Sequence, residues 1–124
     1  MILLTLPMSP TVNNAYGINT RTGAPYLKTA QKEYREIVQN IVRENGWNFQ
    51  ANIPIKVMIV MNFGNKRRND LDNRLKALFD ACTHAKVWED DSLIDDLHVA
   101  RGLTSGEPSI MMQVQAMEDA LVEY

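Results

Sequence analysis

The sequence is poor in two features that extracellular and membrane proteins often have, cysteine and long apolar runs. It has 124 residues and one cysteine, Cys82, so no disulfide can form within the chain. The longest apolar runs, residues 1–7 and 55–61, are far shorter than the roughly 20 residues of a membrane-spanning helix. The N-terminus also lacks the basic region and cleavage site of a secretion signal. We therefore expect a cytoplasmic protein with no membrane partner, in which Cys82 is a small buried residue of a helix.

The chain also lacks an excess of positive charge. Its formal net charge is −2, which argues against DNA binding, because proteins bind DNA largely by neutralising phosphates with lysine and arginine. The charge is unevenly distributed, however, since residues 21–43 and 66–76 each hold five basic residues against two acidic ones. Most of the acidic residues elsewhere fall into two groups, which are Glu89, Asp90, Asp91, Asp95 and Asp96, and, near the end of the sequence, Glu118, Asp119 and Glu123. A basic surface beside an acidic pocket is typical of a metal-dependent nuclease, and a plain solvated surface is the alternative.

The composition is that of an ordinary globular domain. Apolar residues make up 45% of the chain and charged residues 23%, which excludes disorder and fibrous repeats. A chain of this length forms one hydrophobic core and is too short for two. We therefore expect a single domain over residues 1–124.

The apolar periodicity predicts alternating strands and helices. Residues 2–6 and 53–63 alternate as strands, and the second is apolar on both faces at its centre, which indicates an interior strand covered on both sides. Between them, a helix that Thr29 can cap has apolar residues at the 3.6-residue period and ends at Gly46. The other predicted elements are an irregular loop over residues 7–25, or a loose hairpin around residues 19–23 within it, a helix near 71–84, and strands near 95–103 and 109–117. This order predicts an α/β fold of α+β-like character, with a mixed β-sheet flanked by two helices.

The start of the second predicted helix is the most informative segment. With Leu71 toward the core, Asp70 and Asp72 emerge where the loop meets the helix, and Lys76 lies one turn beyond Asp72 on the same face. Mg²⁺ takes a few carboxylate oxygens and completes its octahedron with water and phosphate. The structural alternative is that aspartate caps the helix and forms a stabilising Asp–Lys pair with Lys76. Asp80, one further turn along, is either an outer partner of the site or, more simply, a helix-surface charge.

The acidic block after that helix can supply a further carboxylate. Glu89, Asp90 and Asp91 follow Val87 and Trp88, an apolar pair that we expect to anchor the block to the core. The block stands where the chain leaves the second helix and returns to the sheet. One of its carboxylates, together with the two aspartates at the helix start, would meet the needs of a magnesium ion.

Together, these two segments resemble a known family. Residues 68–81 read Arg-Asn-Asp-Leu-Asp-Asn-Arg-Leu-Lys-Ala-Leu-Phe-Asp-Ala, and residues 88–91 read Trp-Glu-Asp-Asp. The matching residues ahead of them are Leu6, Pro7, Asn13, Asn14, Tyr16, Tyr34 and Arg35. The pattern resembles the signature of the RusA-type Holliday junction resolvases over nearly the whole chain, and the spacing between the two segments makes the match specific.

The resemblance implies a RusA-like fold and a homodimer that binds four-way junction DNA and makes paired nicks in opposing strands. Such enzymes serve DNA recombination and repair in bacteria and are often carried by prophages. The resemblance also implies Mg²⁺ as the cofactor, with Asp70, Asp72 and Asp91 as its ligands and Lys76 as the essential lysine. These four residues are therefore the expected catalytic residues.

Four basic residues are candidates for contacts with the DNA backbone: Lys28, Lys32, Arg67 and Arg68. Such contacts carry affinity but no sequence information, and for each residue the alternative is a solvated surface charge. The loop with Arg67 and Arg68 departs from the pattern of the family, whose members often have a longer arginine run.

Two other functions fit the same residues. One is a nuclease that cuts flaps or forks rather than junctions, because the motifs specify the chemistry whereas dimer geometry specifies the branch. The other is a non-catalytic module that binds branched DNA through its basic face and uses Asp70 and Asp72 only as helix caps. Cleavage with and without Mg²⁺ separates the module from the nucleases.

Overall fold

The computed structural model describes residues 1–48 and 50–117. The strands are β1 (Ile2–Pro7), β2 (Tyr16–Ile18), β3 (Pro25–Leu27), β4 (Ile55–Asn62), β5 (Ile94–Arg101) and β6 (Ser109–Ala116). The helices are α1 (Val12–Ala15), α2 (Thr29–Glu44) and α3 (Leu75–His84), with 3₁₀ turns at Asp72–Arg74 and Asp91–Leu93. Three of the acidic residues noted above, Glu118, Asp119 and Glu123, lie outside the described residues.

The main sheet has four strands in the order β1-β6-β4-β5. Strand β6 runs antiparallel to β1 and β4, whereas β4 and β5 are parallel. A parallel pair needs a crossover connection, and here the connection contains α3. The expected mixed sheet with two flanking helices, α2 and α3, is thus confirmed, in α+β form. The segment expected to be a loop or loose hairpin contains α1 and a small antiparallel sheet of β2 and β3.

The core lies between the two long helices and one face of the sheet. Its fully buried members include Val38, Val42, Val57, Ile59, Met61, Leu78, Ala81 and Cys82. The expected burial of Cys82 is confirmed, and burial raises the pKa of its thiol well above the ordinary value. Helix α2 begins at Thr29 itself, without a side-chain cap, so the expectation that Thr29 caps it is wrong. No helix among the described residues is both long enough and apolar enough to cross a membrane.

The opposite face of the sheet is uncovered in the single chain. Along β4, Val57 and Ile59 face the core, whereas Met58 and Val60 are 42% and 37% exposed. The expectation that this strand is covered on both sides is therefore wrong, because both helices pack on the same side. The alternation of the sequence shows that both faces are apolar, but it carries no information on what covers each one.

Candidate active site

Two of the predicted site residues lie where the chain passes from β4 to α3. Asp70 and Asp72 are both exposed, and Asp72 is the first residue of the 3₁₀ turn that leads directly into α3. Leu71 is the N-cap of that turn and Arg74 is the N-cap of α3, and neither cap makes a side-chain hydrogen bond. The two carboxylates therefore do not serve as helix caps.

The 3₁₀ turn that carries Asp72 is fastened to the segment after β1. Arg74 donates a hydrogen bond from Nη1 to the Ser9 carbonyl at 2.7 Å, and the Ser9 hydroxyl donates one to the Arg74 carbonyl, also at 2.7 Å. The Arg74 guanidinium also lies 5.9 Å from the centre of the Phe63 ring. Because Ser9 is fully buried, these two reciprocal hydrogen bonds hold the start of α3 in a fixed position.

Lys76 lies one turn beyond Asp72 and is not paired with it. The ion pairs among the described residues are Arg35–Asp80, Lys56–Asp96 and, when the histidine is protonated, His98–Asp96. The Lys76 ammonium instead lies 4.4 Å from the centre of the Tyr16 ring, within the range of a cation–π interaction. The stabilising Asp–Lys pair that was the structural alternative for Lys76 is absent from this part of the chain.

Asp80 is a contact between the two long helices. It accepts hydrogen bonds from Arg35 Nε at 2.9 Å, Arg35 Nη2 at 2.7 Å and Gln31 Nε2 at 2.9 Å. Gln31 is fully buried and also donates to the Ala77 carbonyl at 3.1 Å. The simpler interpretation of Asp80 as a helix-surface charge is therefore wrong, and Arg35 points to α3 rather than to solvent.

Tyr16 connects Lys76 to the acidic side chains nearby. Its hydroxyl lies 3.4 Å from the Lys76 carbonyl oxygen, to which it donates. Burial, followed by the negative charge of Asp80 and, to a smaller extent, that of Asp91, raises the pKa of Tyr16 to about 12. Tyr16 thus contacts the predicted site residue Lys76, and the negative charge of Asp91 contributes to its raised pKa. The sequence assigned no separate role to Tyr16, because it lies in an irregular segment, where apolar periodicity does not predict which residues are close in space.

The third predicted ligand, Asp91, follows a firmly anchored pair of residues. Val87 and Trp88 are fully buried, as expected, and the Trp88 indole N–H donates to the Thr83 hydroxyl at 2.7 Å. Asp91 is exposed and is the first residue of the second 3₁₀ turn, which contacts α3. The turn that carries Asp91 therefore lies against the helix that carries Lys76.

The neighbouring Asp90 has a different, structural role. Its carboxylate accepts hydrogen bonds from the backbone N–H of Ser92, at 3.3 Å, and from the Ser92 hydroxyl. These bonds lower the pKa of Asp90 and cap the 3₁₀ turn. Of this adjacent pair of aspartates, Asp91 is thus the one without a capping role.

The donor chemistry of Asp70, Asp72 and Asp91 fits magnesium, although the ligands are not preassembled. Within residues 1–48 and 50–117, no three His, Cys, Asp or Glu side chains are grouped closely enough to hold a metal ion. The three carboxylates are exposed oxygen donors, and Mg²⁺ commonly binds one or two carboxylates together with water and substrate phosphates. These residues therefore suit an open site that water and a DNA phosphate complete.

The basic candidates lie on two parts of the surface. Arg67 and Arg68 are exposed in the loop just ahead of Asp70, and Lys32 is exposed on α2. Lys28 is half-buried, and its ammonium donates a hydrogen bond to the Asn13 carbonyl at 2.6 Å. Arg67 and Arg68 are therefore close in the chain to the carboxylates, whereas Lys28 lies beside the small β2–β3 sheet.

Known proteins match this chain over most of its length. The family model described as Endodeoxyribonuclease RusA matches residues 7–115. The crossover junction endodeoxyribonuclease RusA of Enterobacteria phage HK97 is 33% identical over 98 residues, which cover 79% of this chain and 80% of that protein. The proteins of the same name from Enterobacteria phage 82 and Escherichia coli strain K12 are each 34% identical over the same shares. The chain therefore belongs to the RusA family of endodeoxyribonucleases.

Proposed function

We propose that this protein is an endodeoxyribonuclease that resolves four-way DNA junctions by paired nicks in opposing strands. Its relatives are named for cutting crossover junctions. The observation that carries the proposal is that Asp72 and Lys76 lie one turn apart without capping a helix or pairing with each other. Charged groups that neither cap a helix nor pair with each other, placed beside a basic loop, suit phosphodiester hydrolysis better than they suit a binding module.

The chemistry assigns a task to each charged group. Asp70, Asp72 and Asp91 would hold Mg²⁺, which when bound polarises the phosphate and activates a water molecule. Water adds to phosphorus, one P–O ester bond breaks, and negative charge grows on the phosphate oxygens. The Lys76 ammonium stabilises that charge in the transition state. The candidate DNA-binding residues, which hold the strand by its phosphates, are Lys28, Lys32, Arg67 and Arg68.

We also propose that the active form is a homodimer whose interface includes the uncovered sheet face. Paired nicks need two sites, and a two-fold dimer supplies them. On this face Leu3 of β1 is 58% exposed and Met111 of β6 is 52% exposed. Leu3 lies opposite Gln113 of β6. On β4, Met58 lies opposite Gln113 and Val60 lies opposite Met111. A four-stranded sheet with strands of up to eight residues presents a footprint of about 500 Å². Protruding side chains and the flanking loops add to this contact area, which then approaches the roughly 800 Å² per partner of standard interfaces.

Two coarser features complete the proposal. We place residues 1–124 in one domain, because helices α2 and α3 and the four-stranded sheet share one continuous core. We place the protein in the cytoplasm, where the DNA of a bacterium or an infecting phage lies.

Cleavage of defined DNA branches tests the function. Synthetic four-way junctions, flaps, forks and plain duplexes of matched sequence are incubated with the protein, with Mg²⁺ or with EDTA, and the nicks are mapped. We expect symmetric nicks in opposing strands of the four-way junction, and only with Mg²⁺. Faster cutting of flaps or forks would support the other nuclease, whereas junction binding without cutting in Mg²⁺ would support the binding module.

A further inference from the structure

The position of the Lys76 ammonium is unusual for a lysine close to several carboxylates. Asp72 lies one turn earlier on the same face, a spacing at which oppositely charged side chains commonly pair. The ammonium instead lies over the Tyr16 ring, 4.4 Å from its centre. A lysine side chain has four rotatable carbon–carbon bonds and is exposed here, so some contact must select this position over the ion pair.

Tyr16 is itself held firmly enough to make that selection. Its backbone pairs with Leu27 in the β2–β3 sheet, and the preceding residue, Ala15, is fully buried. Its hydroxyl lies 3.4 Å from the Lys76 carbonyl and near Asp80, which Arg35 fixes in turn. Because burial and the Asp80 charge raise the pKa of Tyr16 to about 12, its side chain is a neutral phenol at ordinary pH.

We propose that Tyr16 is a positioning residue whose ring holds the Lys76 ammonium apart from Asp72. An ion pair between the two would neutralise a metal ligand and, at the same time, the cation that stabilises the transition state. The aromatic ring attracts the ammonium without giving it a negative charge to neutralise. Lysine and aspartate thus both remain available for the reaction. This inference rests on the proposed role of Lys76 in cleavage.

Single-turnover cleavage at saturating protein tests the inference with three variants. Tyr16→Phe keeps the ring, so we expect its rate to stay within about threefold of wild type. Tyr16→Leu removes the ring, and we expect cleavage to slow by about tenfold or more, with junction affinity nearly unchanged. Tyr26→Leu is the matched control, because Tyr26 is an exposed tyrosine of the partner strand β3 and we expect its loss to leave the rate unchanged.

A double-mutant cycle separates positioning from an independent effect. If Tyr16 acts through Lys76, Tyr16→Leu should not slow Lys76→Met any further, because coupled residues are not additive. A further loss of about tenfold in that background would overturn the inference. A wild-type rate for Lys76→Met would instead contradict the proposed role of Lys76. If Lys76→Met is slow while Tyr16→Leu cuts normally, only the positioning role fails.

A measurement on the unaltered protein keeps the test valid even if Tyr16→Leu folds poorly. A proton over an aromatic face resonates upfield, so the ε-methylene protons of Lys76 should lie upfield of those of the other lysines in an NMR spectrum. Tyr16→Phe should retain the shift. A Lys76 signal at the ordinary lysine position in the folded wild-type protein would overturn the inference.

Discussion

Arg35 and Asp80 join helices α2 and α3 through two hydrogen bonds, from Nε at 2.9 Å and Nη2 at 2.7 Å. The two side chains are only 26% and 29% exposed, so this is a partly desolvated bidentate pair, which is stronger than an ordinary surface ion pair. Helix α3 also carries Lys76, and the pair therefore fixes the helix on which the proposed chemistry depends.

The Asp80 contact predicts a specific loss of stability in acid. Burial alone would raise the pKa of Asp80, but the hydrogen bonds from Arg35 and Gln31 outweigh it and lower the pKa. Because the pKa is lower in the folded state, the stabilisation is present above the unfolded value of about 3.9 and is lost as pH falls through the lowered folded value. Urea unfolding should show Asp80→Asn destabilised by about 1–3 kcal/mol at pH 7. The difference from wild type should shrink below pH 4, and exposed Asp95→Asn should show neither effect.

The metal-ligand assignment predicts a separation of cutting from binding. Asp70→Asn or Asp72→Asn should abolish cleavage, because each change removes ligand charge, and should leave junction binding intact or tighter, because it also removes repulsion of phosphate. Thermal stability should barely change, since neither carboxylate caps a helix. Cleavage in Mg²⁺ and binding in EDTA are measured together. A variant that cuts near the wild-type rate would refute the assignment.

Lys76→Met distinguishes transition-state stabilisation from a surface role. We expect single-turnover cleavage to slow by on the order of 10² or more, the scale for loss of one preorganised donor. Junction affinity should change little, because one phosphate contact among many alters binding modestly. Lys32→Met provides the contrast, with weaker binding but a normal rate at saturating protein. A Lys76→Met rate within about threefold of wild type would make the lysine a surface charge.

The basic candidates should be visible in the salt dependence of binding. Removing a phosphate contact lowers the slope of log affinity against log salt by about 0.9 for B-DNA. Arg67→Ala, Arg68→Ala and Lys28→Ala should each show this reduction, on duplex arms as well as on junctions, with normal cutting at saturating protein. An unchanged slope for any of them would identify that residue as a solvated charge.

The interface proposal predicts that a charge on the uncovered sheet face prevents dimer formation. Met111→Lys lies at the centre of that face, opposite Val60 on β4, and should sediment as a monomer at micromolar concentration and lose paired nicking. Ile37→Lys is the matched control, because Ile37 is an exposed apolar residue of α2. Wild-type protein that sediments only as a monomer, with and without DNA, would contradict the proposal.

Local patterns were sufficient to predict the four strands of the main sheet and helices α2 and α3. Helix α2 was expected from Thr29 to the region of Gly46 and spans Thr29–Glu44, because a 3.6-residue period followed by glycine specifies a helix and its end. Asp80 was misjudged because its pairing with Arg35 depends on how two helices dock between residues that are 45 positions apart in the sequence. Apolar periodicity predicts which face of a helix is polar. It does not predict which side chain of another helix pairs with a residue on that face.

The same limit applies to the site. The motif supplied Asp70, Asp72, Lys76 and Asp91 as candidates, and the structure places the Lys76 ammonium over the ring of Tyr16. That tyrosine matches the family pattern, but it comes from a segment with little apolar periodicity, so only the three-dimensional fold reveals its contact with Lys76.

The pairing of the first strand with the last has a consequence for newly made protein. Strand β1 hydrogen-bonds in the main sheet only to β6, at Ser109–Ala116, and Ser9, just after β1, holds the start of α3 through Arg74. A nascent chain that has not yet released β6 from the ribosome has no sheet partner for β1 and no stable anchor for Ser9. The nuclease should therefore be inert until β6 has emerged from the ribosome and paired with β1.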